Sequence, residues 1–356
     1  ADGDSISVEA GSVDVDIELG GEGGTHRILD ARAAAGIEIR RGRDRFRGQD
    51  GRIEFDGARP RQVILRGEPT VAYVVEEAEG ELRLELTGAG PVTANLEPGG
   101  SPEEDGAQSF LFLGPGTLSA ADRGGTISFQ NEAQGRALAD RSSAVILLSG
   151  SVRAESTEGE LESESVLATY NGERGVLLAT EGPSTLRARR LDGVYRAEAR
   201  GGLSARLEGE RWFIDEARDF DAEALGEEPH RVTAAVVRDV DVAGETMVAS
   251  GGVLYQSLWG EARSRGARLR GGAEIDLEGT AEEPVVLSLV PEGNQLRDEA
   301  EDAAGVSTGL VSAIALSLSR EAFVAEGQAR AELQGSEGRW RLDSDRIRGL
   351  RESGDG

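Results

Sequence analysis

The chain of 356 residues contains no cysteine and no lysine. Without cysteine there are no disulfides, no thiolate metal centres and no cysteine nucleophile, while oxidising and reducing compartments both stay open. Histidine is nearly absent. His26 and His230 are the only two, both in Gly- or Glu-rich surroundings that read as solvated loops, which argues against histidine-based zinc or acid–base chemistry. Aromatics make up only 4% of the chain, and its three tryptophans (Trp212, Trp259, Trp340) are a thin basis for a sugar-binding platform. No apolar run approaches the ~20 residues a membrane-spanning helix needs. No secretory leader is visible and the first residue is Ala, as in a mature or trimmed chain.

Positive charge is scarce as well. Asp and Glu number 66 against 39 cations, every one of them Arg, for a net charge of −27. A field of that sign repels a polyanionic backbone, so nucleic acid is not an expected partner.

What the chain has in plenty is glycine, 50 residues against 10 prolines, and strict apolar/polar alternation. The segment GIEIRRGRDRFRGQDGRIEFDG (Gly36 to Gly57) shows the device, and GQARAELQGSEGRWRLDSDRIRG (Gly327 to Gly349) repeats it. Ile37/Ile39, Ile53/Phe55, Val71/Tyr73/Val75, Leu82/Leu84/Leu86 and Ile314/Leu316/Leu318 each place apolar side chains on one strand face. Turn signals such as Asp56-Gly57, Asn171-Gly172 and Gly201-Gly202 separate them. The periodicity predicts an all-β protein of many short strands: a sandwich, barrel or roll. Ala144–Leu148 and Val176–Ala179 are apolar throughout and read as strands buried on both faces. Three acidic stretches, Glu97–Gln108, Asp221–His230 and Pro291–Gly305, read as exposed loops or insertions.

The pattern also recurs at long range. Phe46 lies 21 positions before Gly67, Leu161 lies 21 before Gly182, and Leu269 lies 22 before Pro291, the third unit matching loosely. A unit with one apolar face must stack on neighbours to cover it. Chance similarity among low-diversity strands is the competing explanation.

No motif carries catalysis. P-loop, strand-linked GxGxxG and GxSxG are all missing, and paired acids such as Asp14/Asp16, Glu76/Glu77 and Glu103/Glu104 are what so acidic a composition produces anyway. The DVDVAGE segment, with Asp239, Asp241 and Gly244, lacks the spacing of a calcium loop and reads as a plain turn. Neither an enzyme, a metal site nor a cofactor is expected. Arg43, Arg45 and Arg47 fall on one strand face opposite Phe46; such a stripe would grip a lipid-headgroup phosphate, or else be a charged outer face balanced by acids.

Leu342–Ile347 (LDSDRI) after AEGQARAEL, Leu161–Val166 (LESESV) after LLSGSVRAE, and Phe46–Gly51 (FRGQDG) after AAGIEI resemble the repeat of the LptA/LptC/OstA-type lipopolysaccharide-transport β-jellyroll family. In the third of these a final Gly replaces the family's apolar residue. VILRGEPTV and VLLATEGPSTL resemble that family's return strand. The resemblance implies an elongated antiparallel β-jellyroll in the periplasm, carrying lipopolysaccharide acyl chains in an apolar groove and joined to other β-jellyroll components by edge-strand pairing. Any membrane anchor would lie outside this chain. The chain is long for one roll, and the outer-membrane barrel that follows such a domain in the family's terminal component is missing. Two lobes are therefore expected, residues 1–145 with an acidic insertion near 97–108, and residues 146–356, unless the roll is continuous.

An acyl chain in water costs ~0.8 kcal/mol per CH₂, so a twelve-carbon chain costs roughly 10 kcal/mol, and a carrier must hide it. Ile53, Phe55, Leu65, Leu84, Leu86, Leu161 and Leu177 are the candidate groove-lining residues; their ordinary alternative is a closed core. The competing functional classes are a ligand-free structural or adhesive β-solenoid and a carbohydrate-binding sandwich.

Overall fold

A computed structural model describes the chain except for residues 1–5, 19–26, 57–58, 78–79, 97–107, 121–124, 138–142, 172–174, 190–192, 209–210, 227–228, 258, 272–273, 290–307, 320, 336–337 and 351–356. Among the described residues there are 28 strands and no helix, and every resolved strand pairing is antiparallel. The all-β antiparallel reading holds. The chain divides into two compact units, residues 1–181 with 206–210, and residues 182–205 with 211–356. The position expected to separate two lobes, 145/146, falls inside a strand of the first unit.

In the first unit two long strands, β1 (Ile6–Glu18) and β2 (Arg27–Arg41), precede ten short ones. These are β3 (Asp44–Gly48), β4 (Asp50–Asp56), β5 (Arg59–Arg66), β6 (Thr70–Glu77), β7 (Gly80–Gly88), β8 (Val92–Asn95), β9 (Gln108–Leu113), β10 (Gly116–Ala120), β11 (Thr126–Phe129) and β12 (Glu132–Ala137). Then come β13 (Ser143–Glu155) and β14 (Gly159–Asn171), long again, and β15 (Gly175–Thr180).

The topology follows from β2 being longer than its partners. Its Ile37–Arg41 half pairs with β3 and its Asp30–Ala33 half with β4. Each half starts a series, β3–β6–β7–β10–β11 and β4–β5–β8–β9–β12. The two series rejoin on β13, which takes β11 along one half and β12 along the other.

Where a long strand passes from one series to the other it must bend, and the backbone shows how. In β2 the bend carries two positive-φ residues, Ala35 and Gly36; in β13 it carries Gly150 and Ser151, where the register with β14 also slips. These are β-bulges, which add a residue and sharpen the local turn. A side chain at Gly150 would put its Cβ 2.3 Å from Cγ of Asn131. Between the bends, hydrogen bonds carry the ladder along the crease: Gly36 N to Gln49 O at 2.9 Å, Gln49 N to Arg66 O at 2.9 Å and Gln130 N to Gly150 O at 2.7 Å.

Folding along that crease covers one series with the other. Tyr73 of β6 stacks on Phe110 of β9 with ring centroids 5.4 Å apart, and Phe112 of β9 meets Phe129 of β11 edge-on at 5.9 Å. Since each ring pair joins strands of different series, aromatic side chains fill the space between them.

The second unit repeats the scheme with β16 (Ser184–Arg189), β17 (Gly193–Ala199), β19 (Arg211–Gly226), β20 (His230–Asp241), β21 (Thr246–Ser257), β22 (Gly260–Leu269), β23 (Ile275–Glu278), β24 (Val285–Leu289), β25 (Thr308–Ala313), β26 (Ala315–Leu318), β27 (Ala322–Gly335) and β28 (Gly338–Leu350), while β18 (Leu203–Glu208) is divided, its residues 203–205 in this unit and 206–208 in the first. Long β19 to β22 pair in succession, β22 then splits between β23 and β24, and the series β23–β26 and β24–β25 rejoin on β27. The bends again carry positive φ, at Asp219, at Gly251–Gly252 and at Gly327–Gln328.

Four expectations need correction or placement. The two ends of Asp221–His230 are strand, not loop: Asp221–Gly226 completes β19 and His230 opens β20, with Asp221 opposite Thr233 in the ladder. The alternation of DFDAEAL, masked by its acids, was the signal. His230 is buried, its ring 6.1 Å from that of Tyr255. Ala144–Leu148 and Val176–Ala179 bury one face only, for Leu147 and Ala179 are exposed. The other two acidic stretches and His26 lie outside the described residues, apart from Gln108, which opens β9.

The turn before β8 gives a sharp test of the packing. A Cβ on Gly90 would stand 1.5 Å from the carbonyl oxygen of Leu113, a backbone atom, whereas one on Gly182 would meet nothing within 4 Å. Gly90→Ala is expected to lower unfolding free energy by about 2–4 kcal/mol, and Gly182→Ala to change it by less than about 0.5 kcal/mol, in urea titrations followed by circular dichroism.

Candidate functional site

Register, read across the ladders, shows what the alternation builds. In one series Val8, Ile39, Phe46, Val71, Leu86, Leu118, Ile127, Ala154 and Leu161 stand opposite one another in turn, a single file crossing nine strands. In the other series a file runs Val13, Ala33, Gly51, Leu65, Val92, Phe112, Ala133, Leu148, Val166, and beside it another begins Val15, Ala31, Ile53, Val63. The inner face of the first unit is therefore apolar from edge to edge.

Five candidate groove residues lie on it: Ile53, Leu65, Leu84, Leu86 and Leu161, each no more than 2% exposed. Phe55, beyond a bulge near the end of β4, is half-buried. Leu177 lies between buried Val176 and Leu178 and so belongs to the outer face. The alternation brings the five together and sets Leu177 apart, because a one-residue step along a strand reverses the face.

The inner face loses its cover at the ends of the ladder. β1 pairs with β2 alone among the described strands, and its inner-face residues Val8, Val13 and Val15 are 39%, 48% and 45% exposed. In the second unit β28 likewise pairs with β27 alone, and Leu342, opposite inner-face Ala331, is 54% exposed. Sequence reasoning passed over these residues because an edge strand alternates just as an interior one does; only pairing distinguishes them.

The arginine stripe is real but sits on the other side. Arg45 and Arg47 project from the outer face of β3, opposite buried Asp44 and Phe46, while Arg43 occupies the preceding turn. Nε of Arg47 donates to Glu38 at 2.8 Å, and Arg40 bonds the same carboxylate, whose pKa their hydrogen bonds hold below the ordinary glutamate value. Acids thus balance part of the stripe, and the sheet itself separates it from the apolar files. Asp44 turns inward instead, and its carboxylate accepts a hydrogen bond from the Val74 amide at 3.2 Å.

Similar Arg–acid bridges cover the outer face elsewhere: Glu216 between Arg218 and Arg238, and Asp343 between Arg330 and Arg341. In the DVDVAGE segment Asp239–Asp241 end β20 and residues 242–245 form a turn, with Gly244 N donating to an Asp241 carboxylate oxygen at 3.0 Å. Among the described residues no group of three or more acids and histidines is close enough to hold a metal ion. No family model, no curated protein and no solved structure matches the chain.

The ion pair between Arg231 and Asp221 makes a pH prediction. Arg231 grips the Asp221 carboxylate with Nε at 2.7 Å and with a second nitrogen, and these bonds hold its pKa below the ordinary 3.8 against the opposing pull of burial. A carboxylate with a depressed folded pKa stabilises above its unfolded pKa, and that stability disappears as pH falls through the folded one. Asp221→Asn is expected to cost about 0.5–1 kcal/mol at neutral pH, the pair being half exposed, and nothing in strong acid. Urea titrations of both proteins under the two conditions measure the difference.

Proposed function

We propose that the chain is a periplasmic carrier and bridge for an acylated lipid, lipopolysaccharide by its sequence resemblance, with the apolar inner face as the track for acyl chains. The observation that carries this reading is the set of unbroken apolar files running across the first unit and ending uncovered at Val8, Val13 and Val15. A file that ends on an exposed edge offers acyl chains a landing that leads inward, and Glu, Asp and Arg on the outer face keep the carrier in water. Partners would be other β-jellyroll components adding a strand at the open edges of β1 and β28, where backbone groups lack a neighbouring strand among the described residues. Arg43, Arg45 and Arg47 fit less directly. A headgroup phosphate held on that outer face belongs to a lipid whose acyl chains wrap past the β1 edge.

A second reading is favoured by the burial of Ile53, Leu65, Leu84, Leu86 and Leu161. Closed to solvent like Phe46, Tyr73, Phe110 and Phe112, they make the core of a ligand-free scaffold. Acyl chains reach them only if the two series of strands part.

Photo-crosslinking with lipopolysaccharide separates the two. With a benzophenone residue at Val13 or at Leu84, the carrier reading expects adducts at Val13 first, and at Leu84 where the series open. Val13→Glu should lower lipopolysaccharide uptake from micelles by about tenfold, the equivalent of one lost apolar contact. No adduct at either position, with uptake indifferent to Val13→Glu, leaves the scaffold.

A further inference from the structure

We propose that the outer face of β9, β12, β13, β14 and β15 is a contact surface for a second copy of this chain, packed sheet against sheet on a two-fold axis. The inference is independent of lipid carriage and rests on the side of the sheet that the apolar files do not use.

The outer surface of the molecule is otherwise crowded with charge, as a chain with 29% charged residues requires. Here it is not. Leu111, Gln134, Leu147, Leu167 and Ala179 stand opposite one another in that order, an outward file without a charge across five strands. Leu147 is 42% and Leu167 40% exposed. The flanking files are nearly as bare, with Ser109, Val145, Thr169 and Leu177 on one side and Leu113, Ser149 and Ser165 on the other. Each contains a single charge, both on β12: Arg136 in the first and Glu132 in the second. The apolar runs Ala144–Leu148 and Val176–Ala179 thus have a surface purpose. Their second face is greasy because something covers it.

The arrangement is self-complementary, which selects the occupant. A two-fold axis lying along the central file keeps each member of that file above its own mate, so Leu147 meets Leu147 and Leu167 meets Leu167. The same axis exchanges the flanking files and brings Glu132 of one copy against Arg136 of the other, twice. Glu132 then faces Arg136, and Leu111, Leu147 and Leu167 each meet their own mate, while Leu113 lies over Ser109 of the other copy. Two chains of net charge −27 repel wherever their acidic surfaces meet, and this neutral face is where that repulsion is least. Five strands spaced by about 4.8 Å and three files about 7 Å apart span on the order of 500 Å² per copy. Roughly 1,000 Å² buried in total falls at the low end for a specific contact, as expected of a reversible dimer of micromolar affinity.

Sedimentation-velocity ultracentrifugation of the full chain, from about 1 to 200 μM, tests this. A reversible monomer–dimer equilibrium is expected, weakened at least tenfold by Leu147→Glu and by Leu167→Glu, with circular dichroism verifying that the variants fold. Glu132→Arg and Arg136→Glu should each weaken the dimer, and the double exchange should restore it. Restoration is a readout that mere damage to the sheet does not produce. A monomer throughout the range overturns the proposal, as does a dimer indifferent to the leucine substitutions or a charge exchange that fails to rescue. Flotation of a monomeric chain with phosphatidylcholine vesicles, lost in Leu147→Glu, overturns it in favour of a lipid surface. Lipopolysaccharide crosslinking at Val13 involves the opposite face and stands or falls separately.

Discussion

The structure depends on one apolar face covering itself. Alternation along a strand gives each sheet an oily side, and a flat sheet of these strands would leave that side wet. A buried Leu, Val, Ile or Phe side chain contributes roughly 1.5–3 kcal/mol relative to exposure, so the incentive to fold over is large. The long strands β2, β13, β19, β21 and β27 make it possible because each bends at residues of positive φ, Ala35–Gly36 in β2 and Gly327–Gln328 in β27 among them. Glycine accepts that conformation freely, but Ala35, Ser151, Asp219 and Gln328 do not, and each costs on the order of 1 kcal/mol. The cores on either side hold them there.

The outer face works by different physics. With no lysine in the chain, its cations are planar guanidinium groups able to bridge two carboxylates, as Arg153 does between Glu155 and Glu160. Such exposed pairs add little stability each. Their effect is to scatter positive charge through an acidic surface, so that adjoining outward files do not simply repel across the ladder. Where the scatter stops, over the outward leucines of β13 and β14, the surface changes character.

Much of this was legible from composition and period. Ile37/Ile39, Leu82/Leu84/Leu86 and the turn at Gly201–Gly202 lie where alternation and glycine predict. The sequence resisted in three places, each for a physical reason. Apolar runs read as buried on both faces because hydrophobicity does not reveal which face meets water; Leu147 and Leu177 look the same in either setting. Asp221–His230 reads as an exposed loop or insertion because acidic residues on the outward positions of a strand, as in Asp221–Gly226, resemble a solvated segment when counted rather than phased. Edge position is a property of pairing, and Val13 could not announce it.

Splitting and rejoining restricts how such a protein can change length. Between β2 and β13 the two series hold five strands each, and between β22 and β27 they hold two each. Both arms must arrive side by side at the same receiving strand, so an addition to one arm alone would leave that strand half unpaired and twist the crease out of line. Growth or shrinkage is therefore quantised: hairpins are gained or lost as matched sets, one in each arm, and a lone insertion is confined to the loops.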